Sequence, residues 1–187
     1  MNRETSDRTI LDAFAADFAG LVEKHARYVI VSGFVAIAHG RSRGTEDVDI
    51  IIERIPKERF VELHAGLLER GFECLQSADA GVIYDEYLSK NLTVRYIRKG
   101  THIPEMELKL SKDVLDDYQL ETRKKYPLTG LELYFSTIET NIAFKEELLK
   151  SEKDMEDARH LRIVYEGELD ESEIEKIKQM IRELRLK

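Results

Sequence analysis

The sequence predicts an α+β protein, in which a mixed β-sheet is flanked by helices and followed by a C-terminal helical segment. Two observations support this prediction. Apolar, β-branched runs at Tyr28–Val31 and Glu46–Glu53 are separated by a short helix-compatible piece and a loop. From Leu131 onward, the apolar residues recur at helical spacing. We therefore expect residues 1–130 to form the core and residues 131–187 to form helices packed on it.

Composition narrows the class of protein. A chain of 187 residues with 42% hydrophobic and 35% charged residues is typical of a soluble domain with a core of its own. Its longest apolar runs are too short to cross a bilayer, and no apolar secretion signal is present, so we expect a cytoplasmic protein without a membrane partner. The net charge of −8 argues against binding a long nucleic acid through the overall field. The single cysteine, Cys74, excludes an internal disulfide.

Periodicity and turn residues predict the elements of the first 130 residues. Helices are predicted over Asp7–Ala26, Phe34–Ala38 and Pro56–Arg70. Strands are predicted over Tyr28–Val31, Glu46–Glu53, Phe72–Leu75, Val82–Tyr84, Leu92–Ile97 and Ile103–Leu110. The turn residues Lys99-Gly-Thr101 predict that the last two strands form a hairpin.

Two charged features stand out in the helical segment. Lys145 falls within an apolar stripe formed by Leu131, Phe135, Ile138, Ile142 and Leu149. Burying an unpaired ammonium is costly, so this lysine either snorkels to the helix edge or reaches a site that needs positive charge. On the next helix, Asp154 and Asp157 lie three residues apart, either as an N-terminal charge cap or as site residues. A last helix is predicted after Asp170, its N-cap.

Asp47 and Asp49 form the candidate metal site. Because side chains alternate along a strand, both aspartates point to the same face of Glu46–Glu53. Two neighbouring carboxylates repel each other unless a cation lies between them, which favours a divalent metal. In the strand Ile103–Leu110, Glu105 and Glu107 alternate with apolar residues and offer a further carboxylate to a neighbouring strand.

The turn Ser32-Gly33 and the loop after the short helix are candidates for binding an anion. A helix that starts after small residues presents free N–H groups, although a tight strand-to-helix turn is the alternative explanation. Arg41 and Arg43 add positive charge in the loop Gly40–Thr45. Such charged stretches are more often solvated surface than binding sites.

In combination, these features resemble the nucleotidyltransferase superfamily, which has the DNA polymerase β-like fold. One branch of the superfamily contains uncharacterised prokaryotic proteins and abortive-infection nucleotidyltransferase toxins. This chain is similar to that branch in the stretch Gly40-Arg-Ser-Arg-Gly-Thr-Glu-Asp-Val-Asp-Ile. Ile138-Glu-Thr-Asn-Ile-Ala-Phe-Lys145 and Lys153-Asp-Met-Glu-Asp157 are similar to the helical Lys and Lys-Asp-x-x-Asp motifs of the toxins. The resemblance extends from about Tyr28 to Leu161.

The resemblance implies an enzyme that moves a nucleotidyl group from a nucleoside triphosphate, such as ATP, to an acceptor hydroxyl. Asp47 and Asp49 are then expected to hold Mg²⁺, with Mn²⁺ as the alternative ion. Glu107 is the expected third carboxylate, a ligand of a second metal or a base, and Glu105 is the alternative. The catalytic residues that the resemblance implies are Asp47, Asp49, Glu107 and Lys145.

The resemblance also implies which residues bind the nucleotide. The expected phosphate contacts are Ser32, Gly33, Arg41 and Arg43, with Lys145 as a further positive charge. Asp157 is expected to orient Lys145 or a group of the substrate. The acceptor is open between RNA, a protein side chain and a small molecule such as an aminoglycoside.

Two departures from the family pattern support an alternative function. The turn reads Ser-Gly where the family has Gly-Gly or Gly-Ser, and the third carboxylate is a glutamate. A nucleotide-binding or regulatory module with this fold and no turnover is therefore the second hypothesis. A component of a toxin–antitoxin pair, controlled by an antitoxin as partner protein, is compatible with either.

Overall fold

In the computed structural model, which describes residues 10–186, helices surround one β-sheet. The helices are α1 (Ile10–Val22), α2 (Gly33–Ala38), α3 (Lys57–Glu69), α4 (Ala80–Glu86), α5 (Val114–Thr122), α6 (Ile138–Phe144), α7 (Glu152–Val164) and α8 (Glu171–Arg185). The strands are β1 (Tyr28–Val31), β2 (Asp47–Ile52), β3 (Phe72–Cys74), β4 (Val94–Arg98) and β5 (Glu105–Leu110). None of the described helices has the length and apolar character that crossing a membrane requires.

The five strands form one mixed sheet in the order β1-β2-β5-β4-β3. Strands β2 and β5 pair in parallel, and the other neighbouring strands pair antiparallel. The α+β prediction is thereby confirmed. The hairpin predicted around Gly100 is also present, since β4 and β5 are consecutive and antiparallel.

The two faces of β2 have different surroundings. Val48, Ile50 and Ile52 are buried in the main core, which also contains the apolar residues of α1. On the opposite face, Ile51 packs with Val29 and Leu120 of α5. Because residues alternate along a strand, Asp47 and Asp49 share this second face. The sheet therefore separates its main core from the acidic face.

Two predicted elements are wrong. Val82–Tyr84 lies inside helix α4, because the Asp79 side chain accepts a hydrogen bond from the Val82 N–H and caps a helix there. Helix formation does not begin at Leu131 either. The chain around Phe135 is extended and continues the sheet edge: the Ile30 N–H donates to the Tyr134 carbonyl, and the Ser136 N–H donates to the Ile30 carbonyl, each at 2.9 Å.

The structure differs from the sequence-based expectations in three further details. The first helix ends at Val22 rather than Ala26, and the start predicted at Asp7 lies outside the described residues. Helix α5 was not anticipated, although Asp113 caps it by accepting from two backbone N–H groups. Leu149, expected on the apolar stripe, is 46% exposed.

The C-terminal helices cover the acidic face and bring their charged residues to it. Helix α7 packs against α2, and α6 packs against both α7 and α8. Lys145–Leu149 continues α6 as a π-helical turn. Such turns widen a helix locally and are frequent at functional sites.

Candidate functional site

The parallel pairing of β2 and β5 gathers four carboxylates on one face of the sheet. Asp47 lies opposite Glu105, and Asp49 lies opposite Glu107. On the other side of β5, Arg95 of β4 pairs in register with Glu107. Directly opposite residues of neighbouring strands point to the same face, so these five side chains form one charged surface.

The four carboxylates differ in how their charge is balanced. Arg95 Nε donates to Glu107 Oε1 at 2.9 Å and lies 3.5 Å from Glu105 Oε2. The Thr45 hydroxyl donates to Asp47 Oδ1 at 2.6 Å. Burial, with the nearby charges of Glu107 and Asp47, raises the pKa of Asp49 from 3.8 to about 6. Asp49 thus lies among like charges without a cation that fully offsets them.

These carboxylates fit a hard divalent cation by their chemistry. Oxygen donors are what Mg²⁺ and Mn²⁺ accept, and a cation between Asp47 and Asp49 would relieve the repulsion at Asp49. As the side chains stand, no three His, Cys, Asp or Glu side chains within residues 10–186 are grouped so that they could hold a metal ion. Glu107 points to Arg95 instead. The fit therefore rests on the aspartate pair, with phosphate and water as the remaining ligands.

The Ser32-Gly33 turn lies beside the aspartates and makes room for an arginine. A Cβ at Gly33 would lie 2.1 Å from Arg43 Nη2, so glycine here lets the guanidinium rest against the turn. Ser32 adopts φ 65° and ψ −136°, a conformation that residues with a Cβ rarely take. Its side chain hydrogen-bonds Asp49 and partly offsets the rise in the pKa of that carboxyl.

Asp157 is the centre of a buried ion-pair network. Its carboxylate is 0% exposed and lies 3.0 Å from Lys145 Nζ, 3.2 Å from Arg43 Nη2 and 3.4 Å from Arg41 Nε. Lys145 is 1% exposed, so it does not snorkel to solvent. Asp154 forms a capping box with Ser151 at the start of α7 and also lies 3.4 Å from Lys145 Nζ. The network links the loop Gly40–Thr45, which carries Arg41 and Arg43, to the C-terminal helices.

An open, polar cleft of about 670 Å³ brings most of these residues together. Its lining includes Ser32, Gly33, Arg43, Asp47, Asp49 and Glu107. Lys145, Arg41 and Asp157 are not part of that lining: Asp157 pairs with Arg43, Arg41 and Lys145. Lys145 lines a smaller, adjoining cavity instead. Of the positive residues expected at the phosphates, Arg43 lies in the cleft, whereas Arg41 and Lys145 belong to the ion-pair network around Asp157.

Several residues of the cleft were not expected as site residues from the sequence. Arg95, Ser151 and Lys153 line the cleft. Arg95 could have been found, because in the predicted hairpin it lies on the same face as Glu107. Lys153 belongs to the motif Lys153-Asp-Met-Glu-Asp157, but the position of Ser151 and Lys153 in the cleft depends on how α7 packs against α2.

The strained conformation of Ser32 leads to a stability prediction. Ser32→Gly should raise the free energy of unfolding by about 1 kcal/mol, since glycine takes a positive φ without a Cβ clash. Ser32→Ala loses the same hydroxyl but keeps the Cβ, and should bring no gain. Urea unfolding of both variants measures the difference. Equal stabilities of the two variants would contradict the prediction.

Comparisons with known proteins bear on the fold. No protein-family model matches the chain, and no curated protein matches its sequence. Among solved structures, the chain is similar to an antigenic nucleotidyltransferase-like protein from Paracoccidioides brasiliensis, with a TM-score of 0.52 and 18% identity over 94% of this chain and 88% of that one.

A second similar structure is ANT(2")-Ia in complex with adenylyl-2"-tobramycin. The TM-score is 0.57 and the identity 15%, over 94% of this chain and 98% of that one. A solution structure of the antibiotic-resistance factor ANT(2'')-Ia gives a TM-score of 0.51 at 16% identity, over 92% and 93% of the two chains. Identities this low establish the fold and leave the activity open. With its mixed sheet, flanking helices and C-terminal helices, this chain has the fold of the nucleotidyltransferase superfamily, as its sequence motifs predicted.

Proposed function

We propose that the protein is a metal-dependent nucleotidyltransferase that moves a nucleotidyl group from a nucleoside triphosphate to an acceptor hydroxyl. One observation supports this above the others: the register of β2 and β5 places Asp47 and Asp49 beside Glu105 and Glu107, in a cleft that also holds the Ser32-Gly33 turn. Paired carboxylates next to a turn of small residues fit metal-assisted phosphoryl transfer.

The positive residues of the cleft would hold the triphosphate. Arg43 and Lys153 line it together with the Ser32-Gly33 turn. Arg43 reaches the turn while its Nη2 lies 3.2 Å from Asp157. Asp157 would thus keep the guanidinium in place before the nucleotide arrives, which reduces the cost of ordering it on binding.

In the transfer itself, the acceptor hydroxyl oxygen forms a bond to the α-phosphorus. The bond between that phosphorus and the oxygen that bridges the α- and β-phosphates breaks. Pyrophosphate leaves. Asp47 and Asp49 would hold Mg²⁺ or Mn²⁺, which supplies charge neutralisation at the phosphates and lowers the pKa of the acceptor hydroxyl. Glu107, or Glu105 beside it, would accept the proton once the nucleotide or the acceptor displaces Arg95.

A transfer assay tests the proposal. The protein is incubated with each nucleoside triphosphate labelled at the α-phosphate, with Mg²⁺ or Mn²⁺, and with separated RNA, protein and small-molecule fractions of a lysate. We expect label on one fraction, lost in Asp47→Asn and in Asp49→Asn. Asp85→Asn, at an exposed aspartate of α4 that pairs with Lys57, is the matched control and should keep full activity.

One observation favours the second candidate function, a nucleotide-binding module without turnover. Arg95 binds Glu107 at 2.9 Å and so occupies the expected base. Binding of a nucleoside triphosphate without transfer to any fraction, under either metal, would support this candidate over the enzyme. The antitoxin partner follows from the sequence resemblance alone, and co-purification of a partner with the protein would test it.

A further inference from the structure

A second, smaller cavity opens at the catalytic carboxylates. It has a volume of about 220 Å³ and lies between the acidic face of the sheet and the helical segments around α5 and α6. Ser32, Asp49 and Glu107 line both this cavity and the open cleft. The cleft and the cavity therefore adjoin at Asp49.

The wall of the cavity contains an amide that has no hydrogen-bond partner in the described part of the chain. Gln119 of α5 lines it and is 4% exposed, yet its side chain makes no hydrogen bond within residues 10–186. Its polar atoms are not among the fully buried atoms that lack a partner within residues 10–186, so the amide is open to the space of the cavity. Neighbouring polar groups are engaged elsewhere: Lys109 pairs with Asp116 at 3.4 Å, and Arg185 pairs with Asp113 and Asp116. Gln119 thus offers a donor and an acceptor to a ligand that enters the cavity.

Asn141 offers a second polar atom to the same space. Its amide nitrogen donates to the Ser136 hydroxyl at 2.6 Å and to the Thr137 carbonyl at 2.9 Å. These bonds fix which end of the amide is the donor, and they leave Oδ1 as an acceptor. Asn141 also lines the cavity. The site therefore presents one donor–acceptor amide and one further acceptor.

Size and lining indicate which part of a ligand fits. Whole small-molecule ligands occupy about 300–1,000 Å³, so this cavity holds one ring system of a larger ligand. Ile51, Phe144 and Leu148 supply apolar lining for the ring faces. A glutamine amide matches a heterocycle edge that carries a donor beside an acceptor, as nucleobases do.

We propose that this cavity binds the base of the donor nucleoside triphosphate and that Gln119 determines which base is preferred. The inference rests on the proposed function, because it places the triphosphate in the adjoining cleft. The triphosphate then lies against Arg43 and the Ser32-Gly33 turn, and the base reaches past Asp49 to Gln119. Gln119 itself takes no part in the transfer step, so it affects which nucleotide is bound and not the chemistry of transfer.

Calorimetric titration of the full chain with ATP, GTP, CTP, UTP and inorganic triphosphate tests the inference. Wild-type protein should prefer one of the four nucleotides. Gln119→Met keeps the side-chain length and removes both polar atoms, and should weaken binding of the preferred nucleotide roughly 10-fold. Binding of inorganic triphosphate should not change, which also reports that the variant is folded. Gln179→Met, at an exposed position of α8, is the matched control and should behave as wild type.

Three results would overturn the inference. The first is equal binding of all four nucleotides by wild type, and the second is an unchanged preference in Gln119→Met. If either appears while label transfer proceeds, the inference fails and the proposed function stands. The third is a free nucleoside that binds together with a bound nucleoside triphosphate and loses affinity in Gln119→Met, since the base of an acceptor would then occupy the cavity. A chain that binds neither nucleotides nor inorganic triphosphate would contradict both proposals.

Discussion

Asp49→Asn is expected to reduce nucleotidyl transfer by at least roughly 100-fold and, in the metal-free protein, to raise the free energy of unfolding. The activity falls because the residue is a proposed metal ligand. The stability rises because the carboxylate is half-buried beside Glu107 and Asp47, and the pKa of Asp49 is raised from 3.8 to about 6. A shift of this size corresponds to about 2–3 kcal/mol, which the neutral amide avoids.

The stability gain should depend on pH in a defined direction. Between pH 3.8 and about 6 the folded protein holds the Asp49 proton more tightly than the unfolded chain does, because the pKa of Asp49 is raised on folding. Wild-type stability therefore falls, relative to the variant, as the pH rises through this window. The gain should be complete above pH 6 and absent below about pH 4.

Urea unfolding with a chelator present, at several pH values, measures this effect. Asp47→Asn is the matched comparison: Asp47 is exposed and accepts a hydrogen bond from Thr45, so its replacement should remove activity with little change in stability. Added Mg²⁺ should stabilise wild type and have little effect on Asp49→Asn. If Asp49→Asn is less stable than wild type at pH 7 without metal, the assigned repulsion is wrong.

Asp157→Asn is expected to lower the free energy of unfolding by roughly 3–5 kcal/mol. Asp157 is 0% exposed and is the shared partner of Lys145, Arg41 and Arg43. Without its charge, the one ion pair that Lys145 keeps within residues 10–186 is that with Asp154 at 3.4 Å, although its side chain is 1% exposed. A buried ammonium that loses its counter-ion is among the most destabilising changes in a protein interior.

The same network predicts that substitutions of Lys145 and of Asp157 lower the free energy of unfolding by different amounts. Lys145→Met should cost less than Asp157→Asn, since Asp157 would keep Arg43 at 3.2 Å and Arg41 at 3.4 Å. Lys90→Met, which breaks an exposed pair with Glu86 on the surface, should cost no more than about 1 kcal/mol. Urea unfolding of the three variants gives the order of their stabilities. A Lys145→Met variant that is less stable than Asp157→Asn would show that Asp157 does not hold the network together.

Local patterns in the sequence were sufficient for much of the site. Strand periodicity placed Asp47 and Asp49 on one face, and the parallel pairing now sets them beside Glu105 and Glu107. Helical periodicity placed Lys145 on an apolar stripe, where it is indeed buried. These inferences depend only on residue spacing within one element, which the backbone geometry of helices and strands dictates.

Local chemistry also explains where prediction failed. Three apolar or aromatic residues at Val82–Tyr84 favoured a strand, but the Asp79 cap stabilises a helix at the same place. The segment around Phe135 has helix-like spacing, yet it completes the hydrogen bonding of Ile30 at the edge of β1. An unpaired edge strand buried beneath other elements needs such a partner, and that need is visible only when both segments are in place.

By itself, the sequence determined the sheet-and-helix class, the shared face of Asp47 and Asp49, and the presence of a lysine in the core. Only the tertiary structure decided that Arg95 neutralises Glu107 and that Asp157 pairs with three positively charged side chains. It also decided that Gln119 lines a cavity next to Asp49 without a hydrogen-bond partner among residues 10–186. The reason is physical: these relations join residues from about a dozen to more than a hundred positions apart. Strand register and helix packing set them, and no local periodicity records either.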